Sequence, residues 1–242
     1  MIVDHYEYTG RGGRAENEDR AAHRCLPQGD VWVLADGVGG NGGGGEAAGL
    51  AVECFLSRME NGAGLRQAAE AANEALVRRQ AQQAAGLPMA CTLAAAQLRC
   101  DGLRWAHVGD SRFYLFRAGR LQAQTEDDSV CQKLVKLGEL APGEVRTSPD
   151  RNRLLHTLGE RPLHLHCAEP FPALPGDAFL LCSDGFWEGV YEEEMLIDLC
   201  KSRTAREWGE HMLCRLLRRQ GPGADNFTLQ CCMLGEMAGA DD

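Results

Sequence analysis

The sequence has no long apolar run and no leader-like start. Nowhere among its 242 residues do the roughly eighteen consecutive apolar side chains of a transmembrane helix occur. The opening residues, Met1 to His5, contain neither a basic segment nor an apolar core, so they do not resemble a secretory signal. We therefore expect a cytoplasmic protein that does not insert into a membrane.

Paired cysteines and an excess of basic residues are also missing. The eleven cysteines are an odd number and form no C-x-x-C pair, so we expect neither a disulfide framework nor a zinc site. Most of them are expected to be small core residues of a reduced protein. The formal net charge of -10 and the pI near 5.2 argue against nucleic acid or an anionic membrane as a partner.

The stretch from Val31 to Gly40 carries the strongest functional signal. Its apolar run, Val31 to Ala35, is typical of a strand buried on both faces, and it ends abruptly at Asp36 followed by glycines. Glycines allow the backbone to approach a ligand closely. Because hard cations bind carboxylates and backbone carbonyls, this stretch indicates a cation site.

Two other interpretations of this stretch stay open at this point. Residues Gly37 to Gly42 match the dinucleotide fingerprint G-x-G-x-x-G, but an aspartate at its head would repel a pyrophosphate. In addition, no strand ending in an acid follows the next helix. The second alternative is a glycine-rich turn with a solvated Asp36. A phosphate-binding P-loop is excluded, because no lysine occurs before Lys133.

Hydrophobic periodicity predicts strands near both ends of the chain, with helices between them. The predicted strands are 1–9, 20–26, 31–35, 91–98, 103–109, 112–117, 178–182 and 227–234, and the predicted helices are 46–59, 65–84, 132–137, 192–200 and 204–219. Residues 138–153 show little periodicity and are predicted to form an irregular insert or flap. The order favours an α+β fold of two antiparallel sheets with helices outside, in a single domain over residues 1–242.

Three aspartates stand at the ends of predicted strands. Asp36 and Asp184 each follow an apolar run, and Asp225 precedes the last strand. Pairing of the second and third strands as a hairpin brings Glu18 and Asp19 to the same edge as Asp36. Mg²⁺ and Mn²⁺ prefer oxygen ligands, and a carboxylate shared between two ions is suited to phosphoester hydrolysis.

Together these residues resemble a known family of enzymes. The resemblance is carried by an ordered series of motifs that spans nearly the whole chain: Arg14-x-x-Asn17-Glu18-Asp19, Asp36-Gly37-x-Gly39-Gly40, Thr92, Gly109-Asp110-Ser111-Arg112, Leu158-Gly159, Ser183-Asp184-Gly185 and Asp225-Asn226-x-Thr228. The series is similar to that of the metal-dependent type-2C (PPM) protein serine/threonine phosphatases. The resemblance implies a four-layer α-β-β-α sandwich that hydrolyses phosphoserine and phosphothreonine in proteins.

The resemblance also implies a centre of two Mn²⁺ or Mg²⁺ ions. Asp36 would bridge both ions, the Gly37 carbonyl would bind one of them, and Asp184 and Asp225 would hold the other. A hydroxide that bridges the metals would attack phosphorus directly, because metal-bound water ionises near neutral pH. No protein nucleophile is required.

Further roles follow from the same resemblance. Arg14 would bind and clamp the phosphate, and Glu18 and Asp19 would orient metal-bound waters. Taken alone, Arg14 and Glu18 are better explained as an exposed ion pair of little energetic value. Bacterial members use the aspartate that matches Asp110, together with the one that matches Asp184, for a third and weaker ion. Asp110 is also suited to a simple turn between strands.

The sequence departs from the family pattern at a few positions. Some members carry a histidine where Val38 stands, so water is the expected acid for the leaving group. The usual paired threonines appear as Cys91-Thr92, and Asp128 replaces a frequent histidine. We expect neither change to contact a proposed metal ligand. His164-x-His166 has the spacing of a chelate on a strand, but an exposed strand face explains it better.

The resemblance extends to partners. The compact length of this chain and its lack of a membrane segment resemble stand-alone bacterial members of the family. Some of those members oppose a transmembrane Ser/Thr kinase, and they include the short phosphatases of type VI secretion clusters. The expected partners are therefore phosphorylated proteins, and the expected state is a monomer. The alternative is a catalytically weak module of the same fold that binds phosphoproteins. An NAD-dependent enzyme is the least favoured possibility.

Overall fold

Two five-stranded antiparallel sheets form the centre of the structure, a computed structural model that describes residues 1–39, 43–82 and 89–236. The strands are β1 Ile2–Gly10, β2 Arg20–Leu26, β3 Gly29–Ala35, β4 Gly37–Val38, β5 Ala90–Cys91, β6 Leu93–Arg99, β7 Gly102–Val108, β8 Arg112–Arg117, β9 Arg120–Gln124, β10 His166–Cys167, β11 Ala178–Cys182 and β12 Phe227–Gly235. The first sheet has the order β1-β12-β11-β8-β9 and the second β10-β7-β6-β3-β2. A short pair, β4-β5, continues from the end of β3.

Helices cover the outer face of each sheet. They are α1 Gly44–Glu60, α2 Leu65–Gln82, α3 Val130–Leu137, α4 Asp184–Trp187, α5 Glu192–Lys201 and α6 Ala205–Arg219, and a 3-10 helix spans Pro142–Thr147. The first two helices pack on the second sheet, and α6 packs on β1 and β12 of the first. The four-layer α-β-β-α sandwich expected from the sequence is confirmed.

Successive side chains of the central strands point to opposite faces of their sheet, so the apolar core is divided into three layers. On β3, Val31 and Val33 face α1 and α2, whereas Trp32 points between the sheets. On β11, Leu180 packs towards α6, whereas Phe179 contacts Trp32 edge-on with ring centroids 4.9 Å apart. Because both faces of these strands are covered, their sequences are almost continuously apolar.

The predicted elements agree with the structure in their order and differ at some ends. Residues 83 and 84 of the second predicted helix, and Gly40 to Gly42 of the possible dinucleotide fingerprint, lie outside the described residues. The short strands β4 and β9 and the helix α4 were not predicted. Strand β10 includes only His166 of the strand face expected at 164–166, and the insert at 138–153 contains the 3-10 helix. Among the helices of the described residues, none has the length and apolar character needed to cross a bilayer.

Cysteine is distributed between core and surface. None of the eleven cysteines, all of which the structure describes, forms a disulfide. Most are buried or partly buried, as expected, but four are exposed: Cys25, Cys100, Cys200 and Cys214.

Candidate metal centre

One cleft at an edge of the sandwich contains nearly all of the predicted site residues. Its volume is about 500 Å³, and its lining includes Arg14, Glu18, Asp36, Gly37, Asp110, Asp184 and Asp225. Asp19 lies behind this lining and is 2% exposed. The two sheets both contribute, since Asp36 follows β3 of one sheet, while Asp184 and Asp225 flank β11 and β12 of the other.

The position of Asp36 is fixed through its backbone by Thr92. The Asp36 amide donates to Thr92 Oγ1 at 3.0 Å, and the Thr92 amide donates to the Asp36 carbonyl at 2.8 Å. The hydroxyl of Thr92 also hydrogen-bonds to Ser111 Oγ at 2.7 Å. The expectation that Cys91-Thr92 would contact no proposed ligand is therefore wrong, because β5 pairs directly with the strand that follows Asp36.

Gly37 is required by the close approach of helix α1. A Cβ atom at this position would overlap the backbone of Gly44, the first residue of that helix, and a Cβ at Gly44 would overlap the Gly37 carbonyl carbon. The two glycines thus let the strand end and the helix start meet. As a result, the Gly37 backbone reaches the cleft beside Asp36.

Asp184 and Asp225 are held by their own local backbone. Asp184 begins helix α4, and its Oδ1 accepts a hydrogen bond from the Gly185 amide. Asp225 Oδ1 accepts from the Asn226 amide at 2.8 Å, and its other oxygen lies 2.6 Å from Arg14 Nη2. The Arg14 side chain is 54% exposed. It therefore stands at the rim of the cleft with a carboxylate as its present partner.

A buried hydrogen-bond group behind the cleft was not predicted from the sequence. Asp19 Oδ2 accepts from Ser183 Oγ at 2.8 Å and from Thr228 Oγ1 at 2.7 Å. Asn226 Nδ2 donates to the carbonyls of Arg11 and Glu16, both at 2.9 Å. These contacts fix the loop that carries Arg14. Ser183, Asn226 and Thr228 belong to the motif series, but the sequence predicts no role for them.

Asp110 is held in its turn by a buried stack. The Trp187 indole donates to the Asp110 carbonyl at 2.9 Å, and the Arg112 guanidinium lies 3.5 Å from the centre of the Trp187 ring. Arg112 in turn makes two hydrogen bonds of 2.8 Å to the carboxylate of Asp127. The carboxyl group of Asp110 is thus placed at the cleft by well-anchored neighbours.

The carboxyl groups of the cleft raise one another's pKa. Burial, followed by the charge of Asp225, raises the pKa of Asp184 to about 7. Burial and then Asp19, Asp184 and Asp110 raise the pKa of Asp36 well above its ordinary value, and burial with Asp184 does the same for Asp110. Such mutual repulsion is what a bound cation relieves.

The donor set of the cleft fits hard divalent cations. All of the candidate ligands are carboxylate or backbone carbonyl oxygens, which Mg²⁺ and Mn²⁺ prefer. In addition, Asp19 Oδ1 is buried and has no hydrogen-bond partner among the described residues. An unpaired carboxylate oxygen beside the cleft is consistent with an ordered water on a cation.

The insert at 138–153 borders the cleft. Asn152, together with the adjacent Leu154, contributes to the lining. Arg151 Nε lies 2.9 Å from Glu188, and Arg146 Nη2 lies 2.7 Å from Glu192, so the insert is tied to α4 and α5. In contrast, His164 and His166 are exposed outside the cleft, as expected.

Comparison with known proteins identifies relatives over most of the chain. The family described as Protein phosphatase 2C matches residues 11–219. The serine/threonine protein phosphatase PstP of Mycobacterium tuberculosis is 34% identical over 229 residues, which cover 89% of this chain and 42% of PstP. The serine/threonine phosphatase stp of Listeria monocytogenes is 29% identical over 90% of this chain and 86% of its own length.

A solved structure supports the same relationship. The catalytic domain of PstP in complex with two manganese ions superimposes with a TM-score of 0.80 at 29% identity. The match covers 97% of this chain and 99% of that domain. The chain therefore spans less than half of full-length PstP but nearly all of its catalytic domain.

Proposed function

This chain belongs to the protein phosphatase 2C family, and we propose that it is a metal-dependent protein serine/threonine phosphatase. The observation that carries the proposal is the convergence of four aspartates from both sheets on one cleft, with an arginine at its rim. Within residues 1–242 the phosphatase is proposed to be a single domain. Its substrates are proposed to be phosphorylated proteins, made by a serine/threonine kinase.

The proposed centre holds two Mn²⁺ or Mg²⁺ ions. Asp36 would contact both, the Gly37 carbonyl one, and Asp184 and Asp225 the other, while Asp110 with Asp184 would hold a weaker third. When bound, the ions supply a hydroxide nucleophile near neutral pH and neutralise charge on the phosphoryl group. Glu18 and Asp19 would fix the orientation of water in the cleft.

Arg14 is proposed to bind the substrate phosphate. Its guanidinium is mostly exposed and contacts a carboxylate that is itself a proposed metal ligand. A cation on Asp225 would weaken that ion pair and free the guanidinium for a phosphate, which it can bind through two parallel hydrogen bonds.

The insert at 138–153 is proposed to act as a flap that contacts the protein substrate. Asn152 belongs to the lining of the cleft, so it is placed to contact residues around the phosphoserine or phosphothreonine. Val38, which also lines the cleft, has no group that could protonate the leaving alkoxide, so water is the proposed acid.

The test of the proposed function is metal dependence. Hydrolysis of p-nitrophenyl phosphate and of a phosphothreonine peptide should require added Mn²⁺ or Mg²⁺, and EDTA should abolish it reversibly. Undiminished turnover by metal-stripped protein in excess chelator would contradict the proposal. Inactivation by thiol alkylation in the presence of Mn²⁺ would indicate a cysteine enzyme instead.

The alternative, a catalytically weak phosphoprotein-binding module, is not favoured. Such a module would be expected to lack some of the metal-binding carboxylates, and all of the proposed ones are present at the cleft. The same assay separates the two functions, because the module would bind the phosphopeptide without releasing phosphate.

A further inference from the structure

A second group of potential metal ligands lies at the far end of strand β3 from the cleft. His23, Cys25 and Asp30 each offer one ligand atom, and all three atoms lie within 4.8 Å of one another. Asp30 is near the start of β3, whereas Asp36 follows its end. At about 3.3 Å per residue the two carboxylates are roughly 20 Å apart, so this group is separate from the proposed phosphatase centre.

The β2–β3 hairpin explains why the three side chains meet. His23 and Cys25 are two residues apart on β2 and therefore share a face, and Cys25 stands directly opposite Asp30 in the strand register. The hairpin turn is anchored by Gln28, whose side-chain amide donates to the Met59 carbonyl at the end of α1. The ligand atoms are thus carried by a paired and anchored segment.

The distances resemble those around a tetrahedral zinc ion. Cys25 Sγ lies 3.9 Å from His23 Nε2, which lies 3.5 Å from Asp30 Oδ1. Zinc bonds of about 2.3 Å to sulfur and about 2.0–2.1 Å to nitrogen and oxygen place such pairs about 3.6 and 3.4 Å apart. Two of the three ligand pairs thus have nearly the spacing found around a zinc ion, and the third, Cys25 with Asp30, is no more than 4.8 Å apart.

Two unpartnered nitrogen atoms beside the group point to a missing ligand. His5 Nε2 and Trp32 Nε1 are buried and have no hydrogen-bond partner among the described residues. Both rings contact His23, with ring centroids 4.6 Å away for His5 and 4.7 Å for Trp32. A metal-bound water would donate a hydrogen bond to the imidazole nitrogen, and an oxygen atom bound to the metal would accept one from the indole N–H.

We propose that His23, Cys25 and Asp30 form a site for Zn²⁺ or a similar transition-metal ion at the β2–β3 hairpin. The mixed sulfur, nitrogen and oxygen set favours such an ion over the Mg²⁺ or Mn²⁺ proposed for the cleft. The absence of a C-x-x-C pair does not exclude it, because two of the ligands are not cysteines and one comes from the opposite strand.

The test uses Co²⁺ as a spectroscopic substitute for zinc, added to metal-stripped full-length protein in excess Mg²⁺. A thiolate-to-cobalt absorption band arises only when a cysteine sulfur binds the ion, so the oxygen ligands of the cleft cannot produce it. We expect one equivalent of Co²⁺ to saturate the band and Zn²⁺ to abolish it.

Matched variants assign the band to this site. Cys25→Ser should abolish it, and His23→Gln should weaken Co²⁺ binding at least tenfold, while Cys200→Ser, at another exposed cysteine, should leave it unchanged. Retained Mn²⁺-dependent phosphatase activity would show that Cys25→Ser is folded. No band in the wild type at tenfold excess Co²⁺, or a band that persists in Cys25→Ser, would overturn the proposal, and neither result bears on the phosphatase.

Discussion

Asp36 has several acidic neighbours, and their negative charges repel its own unless a nearby cation compensates them. Burial and three other aspartates oppose its ionisation, and its backbone is fixed by two hydrogen bonds to Thr92. The arrangement is costly for an empty cleft and useful for a cation-filled one. At this position, therefore, charge and not packing decides the residue type.

Asp36→Asn is expected to lose more activity than any other single carboxylate change. It removes the negative charge of the one ligand proposed to contact both ions, and metal stabilisation of a transition state is worth several kcal/mol. A loss of at least about 100-fold in kcat follows from tenfold per 1.4 kcal/mol. Steady-state kinetics at saturating Mn²⁺ measures it, with Asp184→Asn and Asp225→Asn as comparisons. A smaller loss in Asp36→Asn than in either would remove its proposed bridging role.

Arg14→Ala is expected chiefly to raise KM for phosphopeptides, by about tenfold, because charged hydrogen bonds to phosphate are worth about 1.5–3 kcal/mol. Arg11→Ala provides the control, since this arginine is in the same loop but is absent from the lining of the cleft. Kinetics on one phosphothreonine peptide compares the two. If both variants keep wild-type KM and kcat, Arg14 does not bind the phosphate.

The acidic residues could be predicted from the sequence, but the residues that hold them could not. Asp36 and Asp184 each end an apolar run, a pattern that is visible in one dimension. Ser183 and Thr228 donate to Asp19 across 164 and 209 residues of chain, and contacts between such distant segments leave no periodicity to recognise. The hairpin group of His23, Cys25 and Asp30 is local, but it lacks the C-x-x-C spacing from which zinc sites are usually predicted.

Among the elements, long strands and helices with a regular apolar pattern were predicted, whereas short or exposed ones were not. Strand β11 is buried throughout and β3 is buried from Val31 to Ala35, so their apolar runs are easily recognised. Strand β9 is largely exposed, and β4 and β10 have two residues each, too few for any pattern. The insert at 138–153 makes ion pairs with Glu188 and Glu192, which periodicity does not detect.

Thr92→Val tests the junction between β5 and the end of β3. It leaves the Asp36 amide without its acceptor, so we expect about 1–3 kcal/mol of lost stability and a clear loss of kcat. Thr125→Val is a matched control, because Thr125 exchanges the same two hydrogen bonds with the Phe113 backbone. Chemical denaturation and kinetics should show similar destabilisation in both variants and impaired catalysis in Thr92→Val alone. Equal kcat in the two would show that the junction only stabilises the fold.

Without a bound cation, the stability of the protein should depend on pH. The pKa of Asp184 is raised from 3.8 to about 7 in the folded protein by burial and by Asp225. Between these values the unfolded chain has released a proton that the folded chain still holds. The contribution of Asp184 to stability therefore falls as the pH rises from about 4 to about 7.

At pH 8, metal-free Asp184→Asn should accordingly unfold at a higher temperature than the metal-free wild type. Its free energy of unfolding should be higher by at most about 4 kcal/mol. The difference should shrink as the pH falls to 5. Thermal unfolding in EDTA at several pH values measures it. Asp101→Asn is the control, because Arg104 lowers the pKa of that exposed carboxyl, so no dependence is expected in this range. A difference that does not vary with pH would contradict the assigned repulsion.

Because β1 pairs with β12, the first sheet can be completed only late in synthesis. Gly10 pairs with Phe227, so strand β1 finds its partner only after residue 227 has been synthesised. At about 5–20 residues per second, this wait lasts roughly 10–40 seconds. During that interval Asp36 exists without Asp225, and the loop of Arg14 lacks the Asn226 amide that fixes it. A chain that stops before β12 therefore cannot hold the complete centre, and the proposed activity begins only once β12 has left the ribosome.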